Sequence, residues 1–142
     1  MKIEKLFVIA LPLIGAIGYL YLKVRNKVIV LYFPNPEYPE GEAIDRQASY
    51  IIARKAEVAG LPVEVHKYKE GLPLSYYMQR AALVITVGGP KVNPFYYSIT
   101  DKELSAGNRI VVERKGRVAV VAGYTAEDTL KAAKIVSIGV VK

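Results

Sequence analysis

The sequence predicts a single α/β domain, a three-layer unit with a largely parallel sheet and a C-terminal β-hairpin, preceded by one transmembrane helix. Short apolar runs rich in β-branched residues alternate with segments whose apolar residues recur at helical spacing, which is typical of strand-helix-strand units. The 142 residues suffice for one core and are too few for two ordinary domains. An uncharged apolar run near the amino terminus stands apart from this pattern.

This run extends from Leu6 to Leu22. As a helix it spans about 25 Å, slightly less than the ~30 Å hydrocarbon core, and Lys5 and Lys23 at its ends can snorkel across the difference. We therefore expect residues 1–27 to be a membrane anchor with basic flanks, in contact with lipid through residues 6–22, and residues 28–142 to be the globular domain. A cleaved signal segment and a buried helix are the alternatives.

The first half of the domain contains alternating strand and helix signals. Its predicted elements are a buried strand at 26–33, a proline-rich loop at 34–39, a helix at 42–59, a half-exposed strand at 62–68 and a short helix at 75–80. The first helix is predicted from apolar residues at helical spacing, with Gly60 at its end. These apolar positions are Ile44, Ala48, Ile51, Ile52 and Val58.

The second half begins with a buried strand at 83–87 that ends in Gly88-Gly89-Pro90. Residues 109–113 and 117–122 are two further strands joined in a hairpin. A helix follows, with Thr125 and Asp128 as a predicted capping box. The predicted order over residues 28–142 is therefore β-α-β-α-β-β-β-α.

Composition argues against most enzyme chemistry. The chain has no cysteine and one histidine, His66, so it lacks thiol nucleophiles, thiolate metal sites and clusters of histidine ligands. The net charge of +7 is concentrated around the apolar run rather than on a folded face, which argues against a nucleic-acid partner. We expect no catalytic residues, no metal and no cofactor.

The loop after the strand at 83–87 is the candidate ligand site, because open α/β sheets bind ligands beyond the carboxyl ends of their strands. Its candidate ligand-binding residues are Gly88, Gly89 and Asn93. The loop lacks a dinucleotide or P-loop motif, and Pro90 removes a backbone N–H that a phosphate cradle uses. A tight turn built for close packing is the alternative interpretation.

The turn after the last hairpin strand offers a second helix start. An anion is disfavoured there because Glu127 and Asp128 already place negative charge in the first helical turn. A structural cap is therefore predicted.

Two segments, LVITVGGPKVNP at 83–94 and VAVVAGYTAEDTLKAAKIV at 118–136, resemble the archaeal S-layer-like family. That family has a V-G-G-P-x-x-N strand and loop and a V-x-G-x-x-x-x-D-T-x-x-A-A strand and helix. The matching residues are Gly88, Gly89, Pro90, Asn93, Gly123, Asp128, Thr129, Ala132 and Ala133. The resemblance covers under half of the chain and consists of structural residues, which here also include Thr125.

The resemblance implies a cell-envelope module that works through assembly rather than turnover, with the two motif turns adjacent. With the predicted anchor, we expect a single-pass protein of the cell membrane with an extracytoplasmic domain that binds itself or other envelope proteins. The basic flanks of the anchor do not decide its orientation. Few methionines and abundant lysine and arginine are typical of a thermophile. The alternative is a membrane-tethered domain that binds a small ligand or nucleotide, and a virion or mobile-element origin is also open.

Overall fold

The computed structural model describes the backbone of residues 5–10, 19–24 and 27–141, and the side chains of residues 27–138. Its elements in chain order are β1 (Lys5–Ala10), β2 (Tyr19–Val24), β3 (Val28–Tyr32), α1 (Pro39–Val58), β4 (Val63–Lys67), α2 (Leu74–Met78), β5 (Leu83–Val87), α3 (Tyr96–Ile99), β6 (Ile110–Lys115), β7 (Val118–Gly123), α4 (Ala126–Ile135) and β8 (Ser137–Val141).

The main sheet has five strands in the order β4-β3-β5-β7-β6. Strands β4, β3, β5 and β7 are parallel, and β6 pairs antiparallel with β7 at one edge. Gly116 has a φ of +62° in the turn of this hairpin, a conformation that glycine adopts without steric cost. The predicted α/β class, the largely parallel sheet and the hairpin are confirmed.

Apolar side chains cover both faces of the sheet. Alternate residues of β3 point to opposite faces, so Val28 and Val30 pack with α1 and α4, while Ile29 and Leu31 pack with α2 and α3. Strands β3 and β5 are buried along their whole length, as their continuous apolar sequences predict. Helices on both faces of one sheet give three layers.

Helix α1 begins earlier than predicted and is rotated about its axis. Pro39 stands at its first turn, where a missing N–H costs nothing, so the proline-rich segment starts the helix as well as ending the loop. Val58, expected in the apolar stripe, is 78% exposed. The buried positions of α1 are Gly41, Asp45, Ala48, Ser49, Ile52, Ala53 and Ala56.

Two short helices differ from the predicted pattern. Helix α2 begins at Leu74 with Pro73 at its N-cap, so Ser75 lies inside it and makes no capping hydrogen bond. Helix α3 occupies a segment that the sequence predicts as loop. It is held by Tyr96, which is fully buried and donates its hydroxyl to the carbonyl oxygen of Lys102 at 2.6 Å.

The amino-terminal segment differs most from expectation. A helix is predicted over residues 6–22, but the structure describes its two ends as β1 and β2, which pair antiparallel. β-branched and aromatic residues such as Val8, Ile9 and Tyr19 favour strands. No strand is predicted over the segment of β8, which pairs with β1 on its other side. Residues 11–18 lie outside the described residues, and no helix in the described part is long and apolar enough to cross a membrane.

Candidate functional site

A cleft of about 390 Å³ lies where β3, β5 and β7 end. Strands β3 and β5 are neighbours in the sheet. The chain continues from β3 to β4 on one side of this pair and from β5 to β7 on the other side, so the pair flanks the topological switch point at which α/β sheets bind ligands. We call this cavity the carboxyl-edge cleft. Its lining residues are Asn35, Tyr38, Gly41, Asp45, Gly89, Pro90, Lys91, Val92, Leu104, Gly123, Tyr124, Thr125, Ala126, Glu127 and Thr129.

The loop after β5 forms one wall of the cleft. Gly88 has a φ of +133° and donates its N–H to the carbonyl oxygen of Val121 at 3.0 Å, which ties the loop to the neighbouring strand β7. Gly89 and Pro90 line the cleft, and a Cβ on Gly89 would lie 3.3 Å from the carbonyl oxygen of Gly123. The two motif turns are therefore adjacent, as the resemblance implies.

Asn93 holds the loop from within. It is 1% exposed, and its amide donates to the hydroxyl of Thr86 at 3.0 Å while its carbonyl oxygen accepts the N–H of Phe95 at 2.9 Å. Of the three predicted ligand residues, only Gly89 lines the cleft. Gly88 and Asn93 shape the loop behind it.

The start of α4 forms the opposite wall. Thr125 accepts the N–H of Asp128, and the Asp128 carboxylate accepts the N–H of Thr125 at 3.2 Å, so the predicted capping box is confirmed. Gly123 donates its N–H to the hydroxyl of Thr129 at 2.9 Å. A Cβ on Gly123 would overlap the backbone of Asp128 and Thr129, so the helix packs directly on the strand end.

Asp128 also pairs with a cation. Arg109 Nη2 lies 2.9 Å from one carboxylate oxygen, and its Nε lies 3.3 Å from the other. Burial raises the pKa of Asp128, but the hydrogen bonds from Arg109 and Thr125 outweigh it and hold the pKa below its ordinary value. Asp128 is a buried carboxylate whose oxygens both have partners.

Asp45 is not among the ligand-binding residues predicted from sequence, but it lies in the second turn of α1 and lines the cleft. Asp45 is 5% exposed, and among the described residues its Oδ1 has no hydrogen-bond partner. Burial, and next the negative charge of Glu42, raise its pKa to about 7. Asp45 lies three, four and seven residues before Ala48, Ser49 and Ile52, which are all buried. An acidic residue at helical spacing from buried residues is the sequence signal that marks Asp45.

Glu42, one turn earlier, closes the loop between β3 and α1. Its carboxylate accepts the N–H of Asn35 at 2.7 Å and pairs with Lys67 Nζ at 2.9 Å. The bond from Lys67, followed by the bond from Asn35, lowers the pKa of Glu42. The neighbouring carboxylate of Asp45 has no such cation.

The histidine and its ion-pair partners lie away from the cleft. His66 is on the edge strand β4 with Nε2 2.8 Å from Glu64, which also pairs with Lys27 at 2.6 Å. Within residues 27–138, no three His, Cys, Asp or Glu side chains are grouped so that they could hold a metal ion. No family model matches the chain, and neither a curated protein nor a solved structure is significantly similar to it.

Proposed function

We propose that this chain is a membrane-anchored interaction module of the cell envelope, related to archaeal S-layer-like proteins, with its globular domain outside the cytoplasm. The observation that carries the proposal is the position of the two chain ends relative to the cleft. Residues before Val28 enter at the amino ends of the parallel strands, whereas the cleft lies at their carboxyl ends. A domain held through its amino-terminal segment therefore presents the cleft away from the attachment.

The carboxyl-terminal segment leaves from the same end as the amino-terminal one. Helix α4 starts at the cleft and returns along the sheet, and the segment Ser137–Val141 follows it. Lys55 near the end of α1 donates to the carbonyl oxygens of Ala133, Lys134 and Val136 at 2.7, 2.7 and 2.5 Å. These bonds fix the end of α4 beside α1, so the attachment end of the domain is well defined.

Residues 6–22 are the proposed anchor because they carry no charge and are bracketed by lysines. Inside a bilayer a segment must satisfy its own backbone hydrogen bonds, which a helix does without a partner strand. We therefore assign this segment a helical form in lipid, in place of the pairing of β1 with both β2 and β8.

The motif residues support a role in assembly rather than turnover. Asn93, Thr125, Asp128 and Thr129 all use their polar atoms within the domain, to shape the two turns that face each other across the cleft. Exposed tyrosines supply contact area, since tyrosine offers a large apolar ring with a polar tip. Those most exposed are Tyr50, Tyr97 and Tyr124.

Fractionation of cells that express the full chain tests the anchor. We expect the protein in the membrane pellet, resistant to a carbonate wash, and the double variant Ile14→Lys/Ile17→Lys in the soluble fraction, because each central lysine costs about 2.5–3.5 kcal/mol of insertion. The double variant Gln47→Lys/Val58→Lys adds the same charge at exposed positions of α1 and is the control. Wild-type chain in the soluble fraction contradicts the proposal.

Protease treatment of intact cells tests the orientation. The proposal expects the domain to be digested from outside without lysis. Protection in intact cells together with digestion after lysis would place the domain in the cytoplasm and contradict the extracytoplasmic part of the proposal.

A small-ligand-binding function is the second candidate, and the Asp45 carboxyl favours it. A buried acceptor without a partner is costly for a fold, and here it lines a cleft at the switch point. The test is a thermal-shift screen of the full chain with sugars, nucleotides and amines, because a ligand at a hundred times its Kd adds about 2.7 kcal/mol to stability. A melting temperature that no compound changes rejects this candidate.

A further inference from the structure

We infer that the carboxyl-edge cleft binds a neutral polyhydroxylated ring, a monosaccharide unit, that donates a hydroxyl to the side chain of Asp45. This inference rests on the second candidate function and specifies its ligand class. The sugar is either free or the terminal unit of a glycan, since both present the same hydroxyl groups.

Asp45 defines what the ligand must offer. Its Oδ1 is buried and unpartnered, and its Oδ2 lies against the turn at Gly88, where a Cβ would approach it to 3.4 Å. An unmade hydrogen bond at a buried acceptor leaves the loss of its hydration uncompensated and so costs stability. A ligand hydroxyl can donate to Oδ1 once the carboxyl turns toward the cleft that Asp45 lines, and it then supplies the missing donor.

Charge around the cleft disfavours anionic ligands. Asp45 and Glu127 line it, and Asp128 lies in the first turn of α4. The acidic residues in the first turn of α1, Glu40 and Glu42, add negative charge nearby. A phosphate at either helix start would meet these carboxylates, so the cleft lacks the electrostatics of a nucleotide site.

Organic cations are disfavoured as well. Lys91 lines the cleft, and the amino-terminal ends of α1 and α4 both border it, with the positive ends of their helix dipoles. Asp128, the most completely partnered acid there, is already matched by Arg109. A neutral ligand that both donates and accepts hydrogen bonds satisfies the mixed surroundings best.

Aromatic and aliphatic side chains supply the apolar part of the cleft. Tyr38 is 44% and Tyr124 is 51% exposed, and Val92 and Leu104 also line the cleft. The Tyr38 ring lies against the first turn of α1, since a Cβ on Gly41 would come within 2.5 Å of it. Exposed tyrosine rings pack against the C–H face of a pyranose, and a volume of about 390 Å³ is at the lower end for small-molecule sites.

The experiment is calorimetric titration of the full chain at pH 7 with three mannose probes: mannose, methyl α-mannoside and a linear mannotriose. Choline and AMP are the cationic and anionic comparison probes. We expect a mannose probe to bind, with affinity about tenfold or more weaker in Asp45→Ala and in Tyr124→Ala. Asp101→Ala, which removes an exposed acid, is the matched control and should bind as wild type does. Thermal unfolding of each variant shows that it is folded.

The possible outcomes test the ligand class and the position of the site separately. Binding of mannotriose alone, sensitive to Asp45→Ala, supports the inference and identifies a glycan as the source, whereas equal binding of mannose identifies the free sugar as sufficient. Mannose binding that Asp45→Ala leaves unchanged overturns the inference. Binding of only choline or AMP, lost in Asp45→Ala, overturns the ligand class but keeps the second candidate function. If no probe binds and the thermal screen is also negative, both fail.

Discussion

Two aspartates at the carboxyl edge of the sheet are equally buried and have opposite surroundings. Asp128, in the first turn of α4, is 4% exposed, and its oxygens are bonded by Thr125 and Arg109. Asp45, in the second turn of α1, is 5% exposed, and its Oδ1 has no partner. Burial raises the pKa of both carboxyls. The hydrogen bonds from Arg109 and Thr125 reverse this effect for Asp128, whereas the pKa of Asp45 is raised to about 7.

The difference teaches which acid the fold uses and which it leaves available. A carboxylate that caps a helix and pairs with a cation contributes to folding, so its residue type is explained without a ligand. A buried carboxyl with an unbonded oxygen costs stability, and such a cost is typical of functional sites. The cleft therefore has one wall, at the start of α4, whose polar groups are bonded within the fold, and another wall, at Asp45, with an unmet hydrogen bond.

The largest expected effect comes from breaking the structural wall at Gly123. In Gly123→Ala the new methyl overlaps the backbone of Asp128 and Thr129, so α4 must move off the strand end and the capping box is disrupted. We expect the free energy of unfolding to fall by about 3 kcal/mol or more, measured by urea denaturation.

Gly107→Ala is the control for this substitution. A Cβ there meets only the Ser105 hydroxyl at 3.9 Å, so the change should stay within about 0.5 kcal/mol. If Gly123→Ala were equally mild, the close packing of α4 on β7 would not be what holds Asp128 in its bonded position.

The capping role of Asp128 was predictable from sequence, whereas the unpartnered state of the Asp45 carboxyl was not. A threonine followed three residues later by an acid is a local pattern, and the capping box that it predicts depends on a few neighbouring residues only. The state of Asp45 depends on the Gly88 turn, which belongs to a distant part of the chain. Asp45 is buried because α1 is rotated about its axis relative to the orientation predicted from apolar spacing. That prediction placed Val58 among the buried residues, whereas Val58 is exposed in the structure.

The same distinction explains the rest of the fold. Continuous apolar runs predict β3, β5 and β7 because a parallel strand covered on both faces needs apolar side chains throughout. The amino-terminal run is equally apolar, and its length and flanking charges predict a transmembrane helix. In the structure its two ends are strands that pair with each other, and the first of them also pairs with β8. Pairing between residues over a hundred positions apart leaves no local signal.

A medium-sized effect of opposite sign is expected at Asp45. Asp45→Asn removes the ionisation of a buried group, so at pH 8 the variant should be about 2 kcal/mol more stable than wild type. The upper bound is about 4 kcal/mol, because one pKa unit corresponds to about 1.4 kcal/mol, and the amide's own unpaired donors offset part of the gain. Because the folded-state pKa is raised from 3.8 to about 7, wild-type stability relative to the variant should fall as pH rises between these values and then level off.

The matched substitution Asp128→Asn is the control for this sign. It removes a charge that Arg109 and Thr125 bind, so it should destabilise the fold by about 2 kcal/mol at pH 8. Denaturation of both variants across pH 4–8 checks the pair. Equal signs for the two substitutions would mean that burial alone, and not the partners, decides the contribution of each carboxylate.

The smallest effect is expected when the cation beside Asp128 is removed. In Arg109→Gln the pKa of Asp128 should rise, measured by NMR titration of the carboxyl carbon, and stability at pH 7 should fall by about 1 kcal/mol or less, since Arg109 is half-exposed. A lowered folded-state pKa stabilises above the unfolded value and loses this contribution in acid, so the two proteins should converge below pH 4. Lys102→Gln, which removes an exposed partner of Glu113, should change little. If the pKa of Asp128 were unchanged in Arg109→Gln, the difference in pKa between Asp128 and Asp45 would come from the capping hydrogen bonds of Thr125 and not from the cation.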